Sequence, residues 1–375
     1  MSSLTVTLIL FSLLLLLLFL NVPLVVSIGL PTALIMLGSG MKVATLAQRT
    51  YASVDSFTLM AIPFFMLAGK LMEVGGMSKR IVRLADCLVG WMAGGLAHVI
   101  VVASAFFGAL SGSAAATTAA IGSTLIPEMK KRGYPADFVA GIQAVAGALG
   151  VIIPPSITMI MYGVCSSTSI GKLFMAGIVP GIVLALFLMV TIAYQAKKRK
   201  ISQMNTFTFK ELGTAFLDAI PALLVPTIIL GGIYGGIFTP TEAGAVAATY
   251  GFLAGAFWYK EINLQNIGNI MGGAIVNTVL VMIVVGASGA FSWLLTSAGV
   301  SSLLGKAISA IAGNKYIFLL VANLIFIFIG MFIESVAGIL IVTPILLPIA
   351  TSLGVDPVHF GIIMVVNLAL GLTTP

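Results

Sequence analysis

Small polar residues and prolines interrupt two otherwise apolar stretches of this sequence. The first stretch contains Ser111-Gly112-Ser113, and the second contains the segment from Gly150 to Pro155. In a membrane, a broken helix leaves backbone N–H and C=O groups unpaired, which is costly unless these groups line a cavity enclosed by protein. The pattern therefore predicts broken helices that meet at a binding site. The alternative is that the small residues only allow helices to pack closely.

The chemistry that these residues suit is the binding of a small cation beside an organic anion. Hard cations prefer oxygen ligands, and the hydroxyls of Ser111 and Ser113 and the carbonyls around Gly150 to Pro155 could supply neutral ones. Half-helix N-termini near the breaks carry free N–H groups and partial positive charge, which suit an anionic substrate.

The interrupted stretch has a second copy later in the chain. Adding 221 to the residue number carries Pro127 to Pro348 and Ala148-Leu149-Gly150 to Ala369-Leu370-Gly371. An internal repeat with interrupted helices in matching positions is the sequence pattern of a secondary transporter.

The repeat predicts a second site near the end of the sequence. Its candidate residues are Glu334, Ser335, Gly371, Thr373 and Thr374. Glu334 is the one acidic residue that the predicted topology places well inside the membrane, where an ionisable side chain is a functional hint by default. It could equally be a carboxylate that caps a helix.

The composition predicts a polytopic membrane protein. The chain has 375 residues, of which 60% are hydrophobic and 8% are charged, and many apolar runs approach the ~20 residues that span a bilayer. The net charge of +7 does not indicate nucleic-acid binding, because the cations fall in short loops, as the positive-inside rule requires. Cys87 and Cys165 fall near opposite ends of predicted spans, so we expect no disulfide between them.

An enzyme is not expected. Ser111 with His98 or His359 would suggest an intramembrane serine protease, but the local spacing is G-x-x-S-G, and a general base must lie within hydrogen-bond reach of its nucleophile. With two histidines and two separated cysteines, the sequence argues even more strongly against a zinc or redox site.

The elements that must position these residues form an all-α fold with four predicted regions. These are N-terminal scaffold helices (1–55), a first repeat (56–172) with a hairpin (91–127) and a broken helix (138–165), scaffold helices with a cytoplasmic loop (173–266), and a second repeat (267–375) with a hairpin (318–349) and a broken helix (360–375). The second hairpin's tip is predicted near Glu334 to Gly338.

The charged residues set the predicted orientation. Thirteen Lys and Arg residues fall on the predicted cytoplasmic side and five outside, which fits the positive-inside rule. Both hairpins are then re-entrant: the ends of the first lie in the cytoplasm and those of the second outside, so the repeats are inverted. Because the first repeat continues beyond the point that matches Pro375, we expect the native protein to be longer.

Four segments carry a family resemblance: GALSGSAAATTAAIG (108–122), GVIIPPSI (150–157), GGIFTPTEAGAVAATYG (235–251) and GIIMVVNLALGLTTP (361–375). They resemble the large membrane (M) subunit of tripartite ATP-independent periplasmic (TRAP) transporters, over essentially the whole chain. The resemblance implies an elevator-type fold of the ion-transporter superfamily in the bacterial inner membrane. It also implies sodium-driven uptake of an organic acid, such as a sialic acid, a C4-dicarboxylate or a similar carboxylate.

The family also implies partners and site residues. The partners would be a small membrane (Q) subunit, separate or fused, a periplasmic substrate-binding protein (P subunit) and membrane lipid. Sodium ions would couple transport, with no other cofactor. By motif, Ser111, Gly150, Ile153 and Pro155 resemble the first sodium site, and Gly371 and Thr374 the second. The residue types themselves, and not the family, add Ser113 as a sodium-site candidate and give the substrate-site candidates Ser113, Thr117, Glu334, Ser335 and Thr373. Two alternatives stay open: a stand-alone sodium/carboxylate carrier of the same superfamily, and a channel-like membrane scaffold.

Overall fold

The computed structural model describes residues 2–201, 207–300, 303 and 314–374. Within these residues the regular structure is helical and contains no strand, so the predicted all-α fold is confirmed. The α-helices are α1 (Ser3–Phe19), α2 (Leu24–Gly38), α3 (Val43–Val54), α4 (Ala61–Val74), α5 (Met77–Val89), α6 (Gly95–Ser111), α7 (Ala114–Lys131), α8 (Ala136–Ile152), α9 (Ile157–Ser166), α10 (Ile170–Lys198), α11 (Phe209–Tyr234), α12 (Pro240–Leu253), α13 (Ile267–Ser297), α14 (Lys315–Gly330), α15 (Ser335–Ser352) and α16 (Pro357–Gly371). Parts of the predicted loop and second repeat, and Pro375, lie outside the described residues.

Several helices are long and apolar enough to cross a membrane. In the described part of the chain, five satisfy both conditions: α4 with the preceding turn (Phe57–Val74), α10, α11, α13 and α15. The bent pair α8 and α9 makes a sixth if it counts as one span. The chain is therefore a multi-pass membrane protein.

The first predicted break is present between α6 and α7. Gly112 has a φ of 62°, a left-handed conformation that glycine adopts without the strain of a side chain. Ser113 is extended and caps α7, where its side chain accepts a hydrogen bond from the Ala116 N–H at 3.4 Å. Ser111-Gly112-Ser113 thus forms the turn between two helices; that the pair re-enters the membrane stays a prediction.

The second predicted break is present between α8 and α9, which differ in direction by 44°. The segment between them contains Pro154 and Pro155, and proline offers no N–H to continue a helix. Ser156 joins the two halves, because its hydroxyl donates to the Val151 carbonyl at 2.6 Å and accepts from the Met159 N–H at 3.3 Å. The interruption is thus held by specific hydrogen bonds.

The second hairpin turns earlier than predicted. Helix α14 ends at Gly330 and α15 begins at Ser335, so the tip is Met331–Glu334 and not Glu334 to Gly338. The segment Ser335–Gly338 forms the first turn of α15. A Cβ atom on Gly338 would lie 2.9 Å from Leu368 Cδ2, so this glycine allows close helix packing and does not break the helix.

The family-specific segment FTPTEAGAVAA builds the contact between α12 and α4. Thr239 and Glu242 form a capping box with Pro240 in the first turn, which begins α12 abruptly. A Cβ atom on Gly244 would lie 3.1 Å from Phe64 Cβ, so the small face of α12 admits α4. Helix α4, assigned to the first repeat from the sequence, therefore packs against a helix of the predicted scaffold.

Ion pairs connect α5 to α11 and to the segment that follows α12. Arg80 of α5 hydrogen bonds to Glu261 at 2.9 Å and lies over the Tyr259 ring at 4.1 Å, and Arg83 lies 3.5 Å from Asp218. The Arg80 hydrogen bond lowers the pKa of Glu261 from its usual value. Both arginines belong to the predicted cytoplasmic set, and that orientation stays a prediction.

Candidate substrate and cation site

The first hairpin tip brings three oxygen-bearing residues together. Ser111 Oγ lies 2.9 Å from Thr117 Oγ1 and 3.4 Å from the Ser113 carbonyl oxygen. The side chains of Ser111 and Thr117 are buried. Neutral oxygens that converge in a buried place suit a cation without a large hydration shell.

The broken helix docks against this tip through glycines. A Cβ atom on Gly150 would lie 2.7 Å from the Ser113 carbonyl oxygen, and one on Gly108 would lie 2.8 Å from Gly150 Cα. The backbones of α6 and α8 can approach this closely only because both residues lack side chains.

Two further contacts join the tip to the break. The Ile157 N–H donates to the Gly112 carbonyl at 3.3 Å, and a Cβ atom on Gly112 would lie 3.0 Å from the Pro155 carbonyl oxygen. Ile153 lies in the same break, and its side chain faces Gly181 of α10. The structure therefore brings the predicted first-site residues into one neighbourhood.

The second tip carries a carboxylate at the equivalent helix start. Glu334 caps α15 by accepting a hydrogen bond from the Val336 N–H at 3.1 Å. Ser335 beside it is completely buried, and its hydroxyl has no hydrogen-bond partner in the described structure. An unpaired buried hydroxyl in a polar site is a place where a ligand can supply the missing partner.

The second broken helix approaches this hairpin through another glycine pair. A Cβ atom on Gly371 would lie 2.6 Å from Gly330 Cα. The hydroxyls of Thr373 and Thr374 donate to the carbonyls of Leu370 and Gly371, both at 2.7 Å. These threonines thus close the end of their own helix, and no hydrogen bond among the described residues joins them to Glu334.

Both tips line one cavity of about 610 Å³, a volume typical of sites for small molecules. The first hairpin contributes Ser111, Gly112, Ser113, Ala115, Ala116 and Ala119, the broken helix contributes Val151, Ile157 and Thr158, and the second hairpin contributes Glu334, Val336 and Ala337. Of the predicted substrate residues, Ser113 and Glu334 line the cavity. Thr117 and Ser335 are fully buried next to lining residues, and Thr373 is not part of the lining.

Helices α4 and α13, which the site prediction missed, also line the cavity, and the segment Pro23–Val25 at the start of α2 completes the lining. Helix α4 contributes Met66, Gly69, Lys70 and Glu73, and helix α13 contributes Asn277, Leu280, Val281 and Val284. Each set follows the i, i+3, i+4, i+7 spacing of one helix face. That spacing is visible in the sequence, but the sequence alone did not show that these two faces meet the hairpin tips.

Comparison with known proteins decides the family. The family model described as "Tripartite ATP-independent periplasmic transporter, DctM component" matches residues 8–375. The chain belongs to the DctM family. The resemblance found in the sequence is therefore confirmed, and the chain is a transporter component and not an enzyme.

Two relatives illustrate the range of named DctM proteins. The chain is 43% identical over 350 residues to the C4-dicarboxylate TRAP transporter large permease protein DctM of Pseudomonas aeruginosa, covering 93% of this chain and 82% of that protein. It is 44% identical over 360 residues to the isethionate TRAP transporter permease protein DctMQ of Oleidesulfovibrio alaskensis. That match covers 95% of this chain and 56% of the relative, so the chain spans about half the length of that protein.

A solved structure shares the fold. The YdaH transporter of Alcanivorax borkumensis aligns with a TM-score of 0.61 at 13% sequence identity, covering 88% of this chain and 77% of that chain. At this identity the likeness concerns the arrangement of helices alone. It supports the predicted membrane-transporter architecture for this DctM chain.

Proposed function

We propose that this DctM chain is the transporting subunit of a sodium-coupled secondary transporter that imports an organic acid. The observation that carries the proposal is the cavity lined by both hairpin tips. Half-helix ends that converge on one cavity provide N–H groups for an anion and carbonyls for a cation. Coupling follows if both ligands must be bound before the site can move.

The sodium sites that we propose use neutral oxygens. At the first tip, the candidates are the Ser111 hydroxyl and the Ser113 carbonyl, with carbonyls of the segment from Gly150 to Pro155 close by. At the second tip, the end of α16 at Gly371 and Thr374 has the corresponding role. Ser335 supplies a hydroxyl without a protein partner.

The substrate class that we propose is an organic anion. The two relatives described above are named for a C4-dicarboxylate and for isethionate, which share a negative charge and small size but differ in the acid group. A sialic acid or another sugar acid belongs to the same class. Half-helix N-termini suit this common feature.

The mechanism that we propose is an elevator. The hairpins and broken helices touch one another through glycine pairs (Gly108 with Gly150, Gly330 with Gly371), so they can move as one block. Helices α4 and α13 line the same cavity beside this block. A Cβ atom on Gly69 of α4 would lie 3.3 Å from Ser111 Cα. At this contact, therefore, α4 presents a glycine and no side chain to the block.

The partners that we propose are a small membrane subunit and a soluble periplasmic binding protein, with the complex in the bacterial inner membrane. The family description itself names a tripartite periplasmic transporter. Exposed apolar residues such as Leu4, Leu8 and Leu15 of α1 offer a surface for lipid or for the small subunit.

The test is uptake by proteoliposomes that contain this chain, the small subunit and a binding protein loaded with labelled succinate or isethionate. We expect accumulation under an inward sodium gradient, and none when sodium is equal on both sides or when the binding protein is omitted. Uptake that ignores the sodium gradient would overturn the coupling. Sodium-driven uptake by this chain alone would establish the stand-alone carrier instead.

A further inference from the structure

The wall that α4 contributes to the cavity carries an ion pair. Lys70 and Glu73 of α4 both line the cavity, and Lys70 Nζ lies 3.0 Å from Glu73 Oε2. Each side chain is 29% exposed. Charged side chains within a membrane protein are expensive, and they are usually found where they face a water-filled path or a substrate.

The position of Lys70 connects it to the proposed cation site. Its neighbour Gly69 touches Ser111 of the first tip, so Lys70 follows directly after the contact between the wall and the tip. Helix α13 also makes room for it, because a Cβ atom on Gly273 would lie 3.3 Å from Lys70 Cε. The aliphatic part of Lys70 therefore runs across a glycine and can change its direction without displacing a side chain.

The charges around the cavity give Lys70 a specific task. Among the described residues that line the cavity, Lys70 is the only cation, and Glu73 and Glu334 are the anions. Without Lys70, two carboxylates would repel an entering anion in a space where charges are weakly screened. A lysine ammonium has three donors, and the bond to Glu73 uses one of them.

We propose that Lys70 is a contact for the anionic group of the cargo on the α4 wall, and that Glu73 holds the ammonium in place while the cavity is empty. This inference rests on the proposed function. When cargo enters, the flexible lysine stem lets the ammonium turn from Glu73 toward the acid group. The negative charge that the two named cargo classes share is the feature that Lys70 recognises.

The first test measures the charge of the cavity without any cargo. Ala119→Cys places a single reactive thiol in the cavity lining, in a chain whose native Cys87 and Cys165 are replaced by serine. Its rates of reaction with an anionic and a cationic methanethiosulfonate reagent of similar size are compared. Lys70→Met keeps an apolar stem against Gly273 and should lower the anionic-to-cationic rate ratio by about threefold or more.

Two matched variants give the direction and the control. Glu73→Gln should raise the same ratio, because it removes the carboxylate and keeps the ammonium. Lys79→Gln also removes a single cation, but Lys79 is 69% exposed and pairs with Glu261 outside the cavity lining, so the ratio should not change. A ratio that is unchanged in Lys70→Met, or lowered equally in Lys79→Gln, would overturn the proposal. If Lys70→Met does not insert, Lys70→Gln is the second variant, with the same expected result.

The second test measures exchange of cargo from the predicted cytoplasmic side, where the binding protein does not participate. Proteoliposomes exchange labelled succinate or isethionate, and the KM of that side is determined. Lys70→Met should raise the KM about tenfold, as expected for the loss of one hydrogen bond to a charged group, while Lys70→Arg should restore most of the affinity. An unchanged KM would refute the role of Lys70. If the wild-type chain exchanges neither acid, the proposed cargo class is wrong. The ratio of anionic to cationic reaction rates in the first test then decides by itself whether Lys70 sets the charge of the cavity.

Discussion

The two hairpins reach the same cavity with different tips. In the first, α6 ends at Ser111 and the hydroxyl of Ser113 caps the next helix. In the second, α14 ends at Gly330, and the carboxylate of Glu334 caps the next helix. One tip therefore presents neutral oxygens to the cavity, while the other presents an acid.

Behind the tips, the two hairpins are alike. Gly108 meets Gly150 in the first, and Gly330 meets Gly371 in the second. The matching positions support the predicted repeat, because in both cases a hairpin helix touches the end of a broken helix without side chains between them. Both repeats therefore keep the backbone contact, while the chemistry of the helix cap differs between them.

The hairpins also differ one turn or more away from the glycine contacts. Asn367 donates to Asn323 Oδ1 at 2.6 Å, which joins α16 to α14. Counted back from the glycine pairs, the matching residues of the first repeat are Val101 and Ala146, and both are fully buried. The second hairpin therefore has a polar pair where the first has apolar packing.

The glycine contacts should show the largest effect. Gly150→Ala and Gly371→Ala each place a methyl group against backbone atoms that cannot move aside. We expect a loss of about 3 kcal/mol in the free energy of unfolding, the upper end of overpacking costs, measured by unfolding in detergent. Gly141→Ala on α8 is the control, because a Cβ atom there meets nothing within 4 Å. Equal destabilisation by the substitutions at positions 141 and 150 would show that the glycine contact does not limit stability.

Next in size is the cation site at the first tip. Ser111→Ala removes one oxygen where water cannot easily replace it, so we expect about ten- to hundredfold weaker apparent sodium affinity in transport. Ser104→Ala is the matched control, because Ser104 lies on the same helix and its buried hydroxyl has no partner. If sodium dependence is unchanged in Ser111→Ala, then Ser111 is not a ligand.

A smaller effect should separate the two roles of Glu334. Glu334→Ser gives the second tip the cap of the first, and serine is an equally good capping residue. We expect the thermal stability to be preserved while the apparent sodium affinity in transport falls about tenfold, because the cavity loses a carboxylate that attracts the cation. An unchanged apparent sodium affinity in this variant would mean that Glu334 acts only as a helix cap.

The amide pair should show the smallest effect. Asn367→Ala removes the donor to Asn323. We expect the free energy of unfolding to fall by about 1 kcal/mol, near the low end for a buried polar group that loses its partner. The double variant Asn323→Val with Asn367→Ala copies the apolar residues of the first repeat and should recover part of that loss. If the destabilisation of the double variant in thermal unfolding equals the sum for the two single variants, the two amides do not act together.

The sequence was sufficient to locate breaks marked by small polar residues and proline. Both predicted interruptions are present in the structure, at Ser111-Gly112-Ser113 and in the segment from Gly150 to Pro155. They could be predicted because glycine permits a turn and proline cannot continue a helix. The second tip was misplaced by about four residues, because Met331, Phe332 and Ile333 carry no turn signal. The small residues that follow them serve packing, as Gly338 against Leu368 shows.

The far wall of the cavity could not be predicted from local patterns. Lys70 and Asn277 are distant in sequence, and only the packing of α4 and α13 places both at the cavity. A charge near the end of an apolar helix is usually explained by its exposure to water or lipid headgroups. In this structure the packing of α4 against α13 places Lys70 at the cavity instead.

In the arrangement that we propose, the two hairpins enter from opposite sides of the membrane and meet at one cavity. Lys131 at the end of α7 and Lys315 at the start of α14 are exposed and mark the ends of the two hairpins. With a single cysteine at either position, an impermeant maleimide added to intact spheroplasts should label position 315 and not position 131. In inverted membrane vesicles, it should label position 131 and not position 315. Labelling of both positions from the same side would contradict the opposed hairpins.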